Sequence, residues 1–466
     1  MKPIVQGLLA LMLIAASAPL AATEIAVKDG ESIQAAVKRA QPGDVILIHP
    51  GDYRESVYID KDDITLRGVV EDGKWPTLDG EGSRNDAILY SGNGVVIEWL
   101  KIVRYKGNGI MGQAGNNFTI RYNVIEDAGV YGIFPQFGQN GLIEYNVLSK
   151  IEDAAIYVGM CDHVDVLHNE VFDSVAGIEI ENSRHNLVEN NYAHNNTAGI
   201  LTFITPGLPI KTTYDVIVRN NFIVNNNTPN FGAPGSIVSK LPVGIGIVVM
   251  AADDVTIEGN IITGNNTAGV VITDLSFITD ISSDPESEPN PDRTRVLDNL
   301  MFANGANPVA EIKAAMLTQF SRRGPDVLAS PGSAQAADKC IANRGRYTSY
   351  GIQKWVDCAG KLTTADLRSH RLPAKAAPRT IANDEDRIEH LYRGICAGCH
   401  AYNMRMIGPA SIALQAQYEG NPQGIADYIA KPAKKRVDFP PMPPQDHLSP
   451  DVRLKVADYL LNKVTK

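Results

Sequence analysis

Short runs of apolar, mostly β-branched residues recur along the middle of this chain, separated by turns rich in Asn and Gly. Asn123, Asn146, Asn169, Asn191, Asn221, Asn260 and Asn299 anchor the repeat, at spacings of 23, 23, 22, 30, 39 and 39 residues. Three residues before each anchor stands Ile120, Ile143, Val166, Val188, Val218, Ile257 or Val296. Two residues after it stands Ile125, Leu148, Val171, Ala193, Ile223, Ile262 or Met301. A further apolar marker comes nine or ten residues past several anchors, in Gly132-Ile133, Ala155-Ile156, Gly177-Ile178, Gly199-Ile200 and Gly269-Val270. Ile97, Leu100, Ile102 and Gly109-Ile110 start the same register one turn earlier. The pattern predicts short strands in each repeat, with the apolar markers facing inward.

A period near 23 with such strands and turns reads as a right-handed parallel β-helix, an all-β solenoid. Coils stacked about 4.8 Å apart give a rod roughly 40–50 Å long. The Leu pattern of a leucine-rich repeat is missing. The anchor Asn residues are expected to bond to the coils on either side, as a structural ladder. On the strand that starts at each Gly-Ile marker, Met111, Gln113, Phe134, Gln136, Tyr157, Glu179, Glu181, Leu201 and Phe203 point outward. Aromatic, amide and carboxylate groups in one stripe suit a carbohydrate ligand. Glu179 and Glu181, about 7 Å apart on one face, are the candidates for acid–base work there. A plain solvated sheet face is the competing expectation. His163, His168, His185 and His194 are spaced too irregularly to predict a metal site. The extra length of the later repeats falls in loops at 205–213, 228–243 and 276–293, the last acidic, Pro-rich and expected to be mobile.

Residues 31–41 have helical spacing, with Ile33, Ala36, Val37 and Ala40 on one face. Pro42-Gly43-Asp44, the strand Val45-Ile46-Leu47-Ile48 and Pro50-Gly51-Asp52-Tyr53 follow. This order resembles the N-terminal cap of pectate-lyase-like β-helix proteins, over about residues 25–305. That resemblance implies fold far more than function, because the superfold hosts lyases, hydrolases, epimerases, esterases and non-enzymes.

With 466 residues the chain is long enough for two or three domains. Residues 1–22 read as a secretory signal peptide: Lys2, an apolar run from Leu8 to Ala16, then small residues up to a cut after Ala22. No later segment is apolar enough to span a bilayer. Residues 23–305 are assigned to the solenoid with its cap, 306–379 to a capping and linking segment, and 380–466 to a separate all-α domain. In an oxidising compartment Cys340 and Cys358 are expected to form a disulfide, and Cys161 to be a buried, inert thiol. Net charge is −10. Residues 380–466 hold eleven Lys and Arg against ten Asp and Glu, so the acidity belongs to the solenoid, and nucleic-acid binding is not expected.

The all-α segment carries Cys396-Ala397-Gly398-Cys399-His400. C-x-x-C-H is the attachment pattern of c-type haem: two thiols for the vinyl groups and an imidazole for the iron. Ile407-Gly408-Pro409 follows, then Met442 in the stiff loop Phe439-Pro440-Pro441-Met442-Pro443-Pro444, then a closing helix. This order resembles a class I cytochrome c over residues 380–466. The resemblance implies one covalent haem c held by Cys396 and Cys399, with His400 and Met442 as axial metal ligands. Met404 and Met406 lie too near His400 in sequence, and His447 is a weaker rival. It also implies that Pro409 orients His400 through a backbone carbonyl. Lys431, Lys434, Lys435 and Arg436 form a candidate docking patch or merely a solvated face. The expected function is therefore a periplasmic electron carrier with a β-helix recognition module, passing electrons between a periplasmic redox partner, such as a dehydrogenase, and the respiratory chain. The alternative is a polysaccharide-modifying enzyme (lyase, epimerase or hydrolase) with an accessory haem domain.

Overall fold

The computed structural model describes residues 22–234, 236–277, 284–330, 338–358, 370–375, 377–435 and 439–465. The signal peptide read from 1–22 therefore lies, but for Ala22, outside the described residues, as does Arg436 of the basic patch. Three parallel sheets of 13, 11 and 10 strands form a solenoid, and a C-terminal region of several helices follows. Within each sheet neighbouring strands come from successive coils, so each coil contributes one strand to each side.

The repeat packs as its pattern dictates. Ile88, Ile110, Ile133, Ile156, Ile178, Ile200, Ile247, Val270 and Val327 stand in register along the 11-stranded sheet, and every one is fully buried. Burying a side chain of this size stabilises by roughly 1.5–3 kcal/mol, and the column repeats that gain coil after coil. The anchor Asn residues form a buried ladder. Asn191 Nδ2 donates to Asn221 Oδ1 at 3.0 Å and to Val166 O at 2.8 Å, while its own Oδ1 accepts from Asn169. A second ladder, unread in the sequence, joins Asn196, Asn226, Asn265 and Asn304. It lies five residues after the first in four coils, so its signal was there to be seen.

The residue before each anchor turns the corner with positive φ: Trp99, Tyr122, Tyr145, His168, Asn190 and Asn220 all do so. Left-handed backbone costs an ordinary residue about 1–2 kcal/mol. Stacking of Trp99 on Tyr122 (4.7 Å), Tyr122 on Tyr145 (5.3 Å) and Tyr145 on His168 (4.8 Å) offsets part of that cost.

The helix Ile33–Arg39 closes the first coil with Ile33, Ala36 and Val37 buried. Glu55 accepts from the N–H groups of Ile33 and Gln34 at its start, and Lys61 donates to the carbonyls of Val37, Lys38 and Ala40 at its end. Each charge meets the favourable end of the helix dipole.

Two expectations need correction. The solenoid does not stop at residue 305: strands Val327–Ala329, Cys340–Ile341, Ser349–Tyr350 and Val356–Asp357 continue the 11- and 13-stranded sheets. These strands are two or three residues long and have lost the Asn anchor, which hid them. Cys340 and Cys358, with Cα atoms 4.9 Å apart, are disulfide-bonded inside this last stretch. Nor is the described part of the acidic loop loose. Asp284 is buried and accepts from Gly207 N (2.6 Å), Ser287 Oγ (2.7 Å) and Lys211 Nζ (3.1 Å). Residues 278–283 of that loop lie outside the described residues.

The C-terminal region consists of helices Asp384–Ile395, Ser411–Gln417, Pro422–Ala430 and Pro450–Asn462. Ile388, Leu391, Tyr392, Ile425, Ala426, Ile429, Val456, Ala457 and Leu460 share its core. Asn383 caps the first helix by accepting from Asp386 N at 3.0 Å, and three acidic residues occupy that helix's first turn.

Candidate functional site

The helical region lies against the outer face of the 11-stranded sheet. Helix Asp384–Ile395 approaches strand Ile110–Gln113 so closely that a Cβ on Gly394 would stand 2.7 Å from Ala114 N. Arg387 donates to Asp60 O (3.1 Å), Arg379 to Phe137 O (2.5 Å) and Gln139 Oε1 (2.6 Å), and Gln136 Nε2 to Arg393 O (3.5 Å). The Arg379 guanidinium sits 3.7 Å from the Phe137 ring centroid.

This docking overturns the solvated-face expectation. Glu179, Glu181, Gln113, Gln136, Phe134, Tyr157, Leu201 and Phe203 do point out of the barrel, yet all are buried. Periodicity gives the direction of a side chain. It cannot reveal that loops and a second domain cover it. Phe134, Tyr157, Leu201 and Phe203 make a second apolar cluster outside the barrel, with Ala154, Ala176, Ile245, Val248 and Met250.

Three carboxyls sit under this cover. Glu179 is 1% and Glu181 6% exposed. Burial pushes the Glu181 carboxyl up to about 7, against a hydrogen bond from Thr205 that pulls it down. Burial, and then the charge of a neighbouring carboxyl, hold Asp153 and Glu179 well above the usual carboxylate range. Asp153 Oδ1 and Glu179 Oε1 are buried with no hydrogen-bond partner. Such groups are held in the protonated state at neutral pH. Tyr131, stacked on Tyr157 at 4.5 Å, feels all three acids and also Cys399. Asp153 had no place in the sequence reading, because it lies in a turn before its strand rather than in the alternating stripe.

The Cys-x-x-Cys-His segment sits at this interface. It forms one tight turn: Cys399 N and His400 N both donate to Cys396 O, at 3.1 and 3.0 Å. Both thiols are free of any disulfide. Burial raises them to about 12 (Cys396) and about 11 (Cys399), and Glu181 adds to the rise at Cys399. His400 Nδ1 is 2.8 Å from Pro409 O. A carbonyl only accepts, so Nδ1 carries the proton and Nε2 keeps its lone pair. Burial lowers the His400 pKa and keeps the ring neutral. Gly408 lies flat on that ring, where a Cβ would stand 2.4 Å from Cε1.

Among the sulfur rivals, Met442 packs against the helical core, as Cys396 does. Met404 lies against Gly207, and Met406 packs with Ala114, Phe137, Met160 and Leu208 of the solenoid. His447 is turned to the solenoid as well: its Nε2 donates to Gln113 Oε1 at 3.2 Å, its ring meets Tyr58 at 4.7 Å, and burial lowers it to about 4. Lys435 is held near the Tyr428 ring (4.3 Å) and donates to Tyr418 Oη. Cys161 is buried, its thiol donating to Gly159 O and pushed up to about 12 by burial. Among the described residues no helix is long and apolar enough to cross a membrane, and no cluster of three or more His, Cys, Asp or Glu is arranged to hold a metal ion.

The right-handed β-helix region family matches residues 78–205 and 108–284, so this solenoid is a right-handed parallel β-helix. Solved structures of similar architecture include the A-module of Azotobacter vinelandii mannuronan C-5 epimerase AlgE6. It is 17% identical over 71% of this chain and 93% of its own, with a TM-score of 0.49. The AlgE4 A-module is 15% identical over 72% and 87%, with a TM-score of 0.47. DFA-IIIase from Arthrobacter chlorophenolicus A6, solved in complex with DFA-III, is 15% identical over 71% and 95%, with a TM-score of 0.43. No curated protein matches the sequence significantly.

Proposed function

We propose that this is an exported c-type haem protein in which a class I cytochrome c domain is seated on the carboxyl-lined face of a β-helix and carries electrons to or from a periplasmic redox partner. The residues present fit the group. Cys396 and Cys399 are uncrosslinked and presented on one turn. His400 offers a neutral Nε2, and Met442 shares the apolar cluster with Cys396. The single observation that carries the reading is the hydrogen bond from His400 Nδ1 to Pro409 O, which leaves Nε2 unprotonated on the same turn that bears two free thiols. Bound haem would supply one-electron transfer at a low-spin iron. This chain's residues would attach it through the two sulfurs, ligate it through His400 and Met442, and exclude water through the core around Leu391, Ile425 and Leu460. The test is expression with haem-maturation machinery. The wild type should hold haem through acid-acetone extraction and show a weak band near 695 nm when oxidised. Cys396→Ser with Cys399→Ser should hold none, and Met442→Ala should lose the band. A colourless wild type ends the reading; persistence of the band in Met442→Ala reassigns the distal ligand.

The Asp153, Glu179 and Glu181 trio favours a second reading, in which the β-helix face modifies a polysaccharide. Carboxyls kept protonated at neutral pH are suited to general-acid work. Because Glu179 and Glu181 are buried, this reading requires the helical region to lift away before a polymer can enter. Glu179→Gln with Glu181→Gln should then abolish turnover of a uronic-acid polymer and leave haem content unchanged. No turnover by the wild type, or full turnover by the double variant, removes it.

A further inference from the structure

Away from this site, the 13-stranded sheet carries a cavity that neither reading uses. Its floor is built by three successive coils, through strands Asp162–Leu167, Arg184–Glu189 and Tyr214–Arg219. His163, His185 and Asp215 occupy the same left-handed backbone position in these coils, so their side chains stack outward in a column. The His163 and His185 rings are 4.8 Å apart, and His185 Nδ1 is 2.7 Å from Asp215 Oδ2. Leu187 and Ile217, in register, give an apolar patch beside them. The roof is the chain at 370–375, on its way to the helical region. His370 O accepts from Arg219 Nη1 (2.9 Å), and Lys375 Nζ reaches Asp165 Oδ2 (3.3 Å). Arg371, Leu372 and Pro373 complete the lining.

We propose that this cavity binds a small organic carboxylate. Its volume, about 210 Å³, is below the roughly 300–1,000 Å³ of drug-sized sites, which limits the occupant to a small molecule. His163 is 7% exposed, and its Nε2 is buried with no hydrogen-bond partner. An unmet polar atom of this kind costs about 1–3 kcal/mol, and a ligand oxygen placed there removes the cost. The charges around it select the sign. Glu189 holds Arg219 at 2.9 Å, Asp165 holds Lys375 and Asp215 is taken up by His185, whereas Arg371 has no carboxylate partner among the described residues. One cation and an imidazole donor above an apolar floor fit an anionic head with a short hydrocarbon body. The roof leads on to Arg379, which is bonded to Phe137 O and Gln139 at the helical region's docking face. An occupant that braces the roof therefore also steadies that docking.

Propionate is the probe, titrated into the full-length protein by calorimetry and by saturation-transfer NMR. Wild type should bind it at least tenfold more tightly than either His163→Gln or Arg371→Ala, and 1-propanol should not compete. Arg371 is an exposed roof residue, so its variant folds even if His163→Gln does not. Absence of propionate binding, equal binding by the Arg371→Ala protein, or equal binding of 1-propanol overturns the proposal. Inorganic phosphate bound in preference to propionate overturns the carboxylate assignment.

Discussion

The rod and the helical region achieve order by different means. In the rod each stabilising device recurs in coil after coil: an inward Ile, a ladder Asn, a left-handed corner. In the helical region each device occurs once. A single carbonyl sets the His400 tautomer, a single glycine makes room for its ring, and a single Met shares the core with Cys396. A repeat spreads the consequences of one substitution over many neighbours, whereas a unique contact has no substitute. On the haem reading the chemistry is placed in the part with no redundancy, and the rod supplies a rigid face to hold it.

That contrast can be broken most severely at Gly408. Gly408→Ala puts a methyl into the His400 imidazole, and since Gly408 N also donates to Cys399 O the turn cannot simply move away. A fall of about 2–4 kcal/mol in the stability of the helical region is expected, and on the haem reading loss of the haem spectrum with it, while far-UV circular dichroism from the rod is unchanged. Next comes the middle of the ladder. Asn191→Ala leaves donors on Asn169 and acceptors at Val166 and Asn221 without partners. It should cost about 2–4 kcal/mol, read by denaturant unfolding, and Asn299→Ala nearer the end of the ladder should cost less. Equal costs would deny that the stack acts as a cooperative column.

The smallest effect tests the seam between the two regions. Glu181 binds its proton with a pKa of about 7 when folded, against an ordinary 4.5. The folded protein holds that proton between pH 4.5 and 7 while the unfolded chain has lost it. Stability therefore falls as pH rises through this window and is flat above it. His447 acts oppositely: lowered from 6.5 to about 4, it costs stability as pH falls through that range. Glu181→Gln should raise stability at pH 8 by on the order of 1–3 kcal/mol and flatten the slope from 4.5 to 7, as melting curves across pH would show. An unchanged slope would mean that Glu181 is wet, and the seam open.

The rod was legible because its signal is repeated. Ile110, Ile133, Ile156, Ile178 and Ile200 fall in one register, and the spacing of Asn123, Asn146, Asn169 and Asn191 announces the ladder that joins them. Its last coils were not legible, since strands as short as Cys340–Ile341 carry too few positions to show a period. The direction of Glu179 and Glu181 was also readable, from simple alternation. Their burial was not, because it depends on loops such as the one carrying Thr205 and on the helical region further along the chain. Asp153 went unread for another reason: it lies in the turn before its strand, outside the alternation. Local pattern reports which way a side chain faces; only tertiary contact reports what it meets.

The partners across the seam are far apart in the chain, with His447 and Gln113 separated by 334 positions and Arg387 and Asp60 by 327. The rod's docking face is therefore complete long before the last helices are made, and the seam closes last. Once it has closed, Cys396 and Cys399 are half-buried beside the rod. An enzyme that modifies those sulfurs finds them most open while the tail still hangs free, so on the haem reading attachment comes before seating.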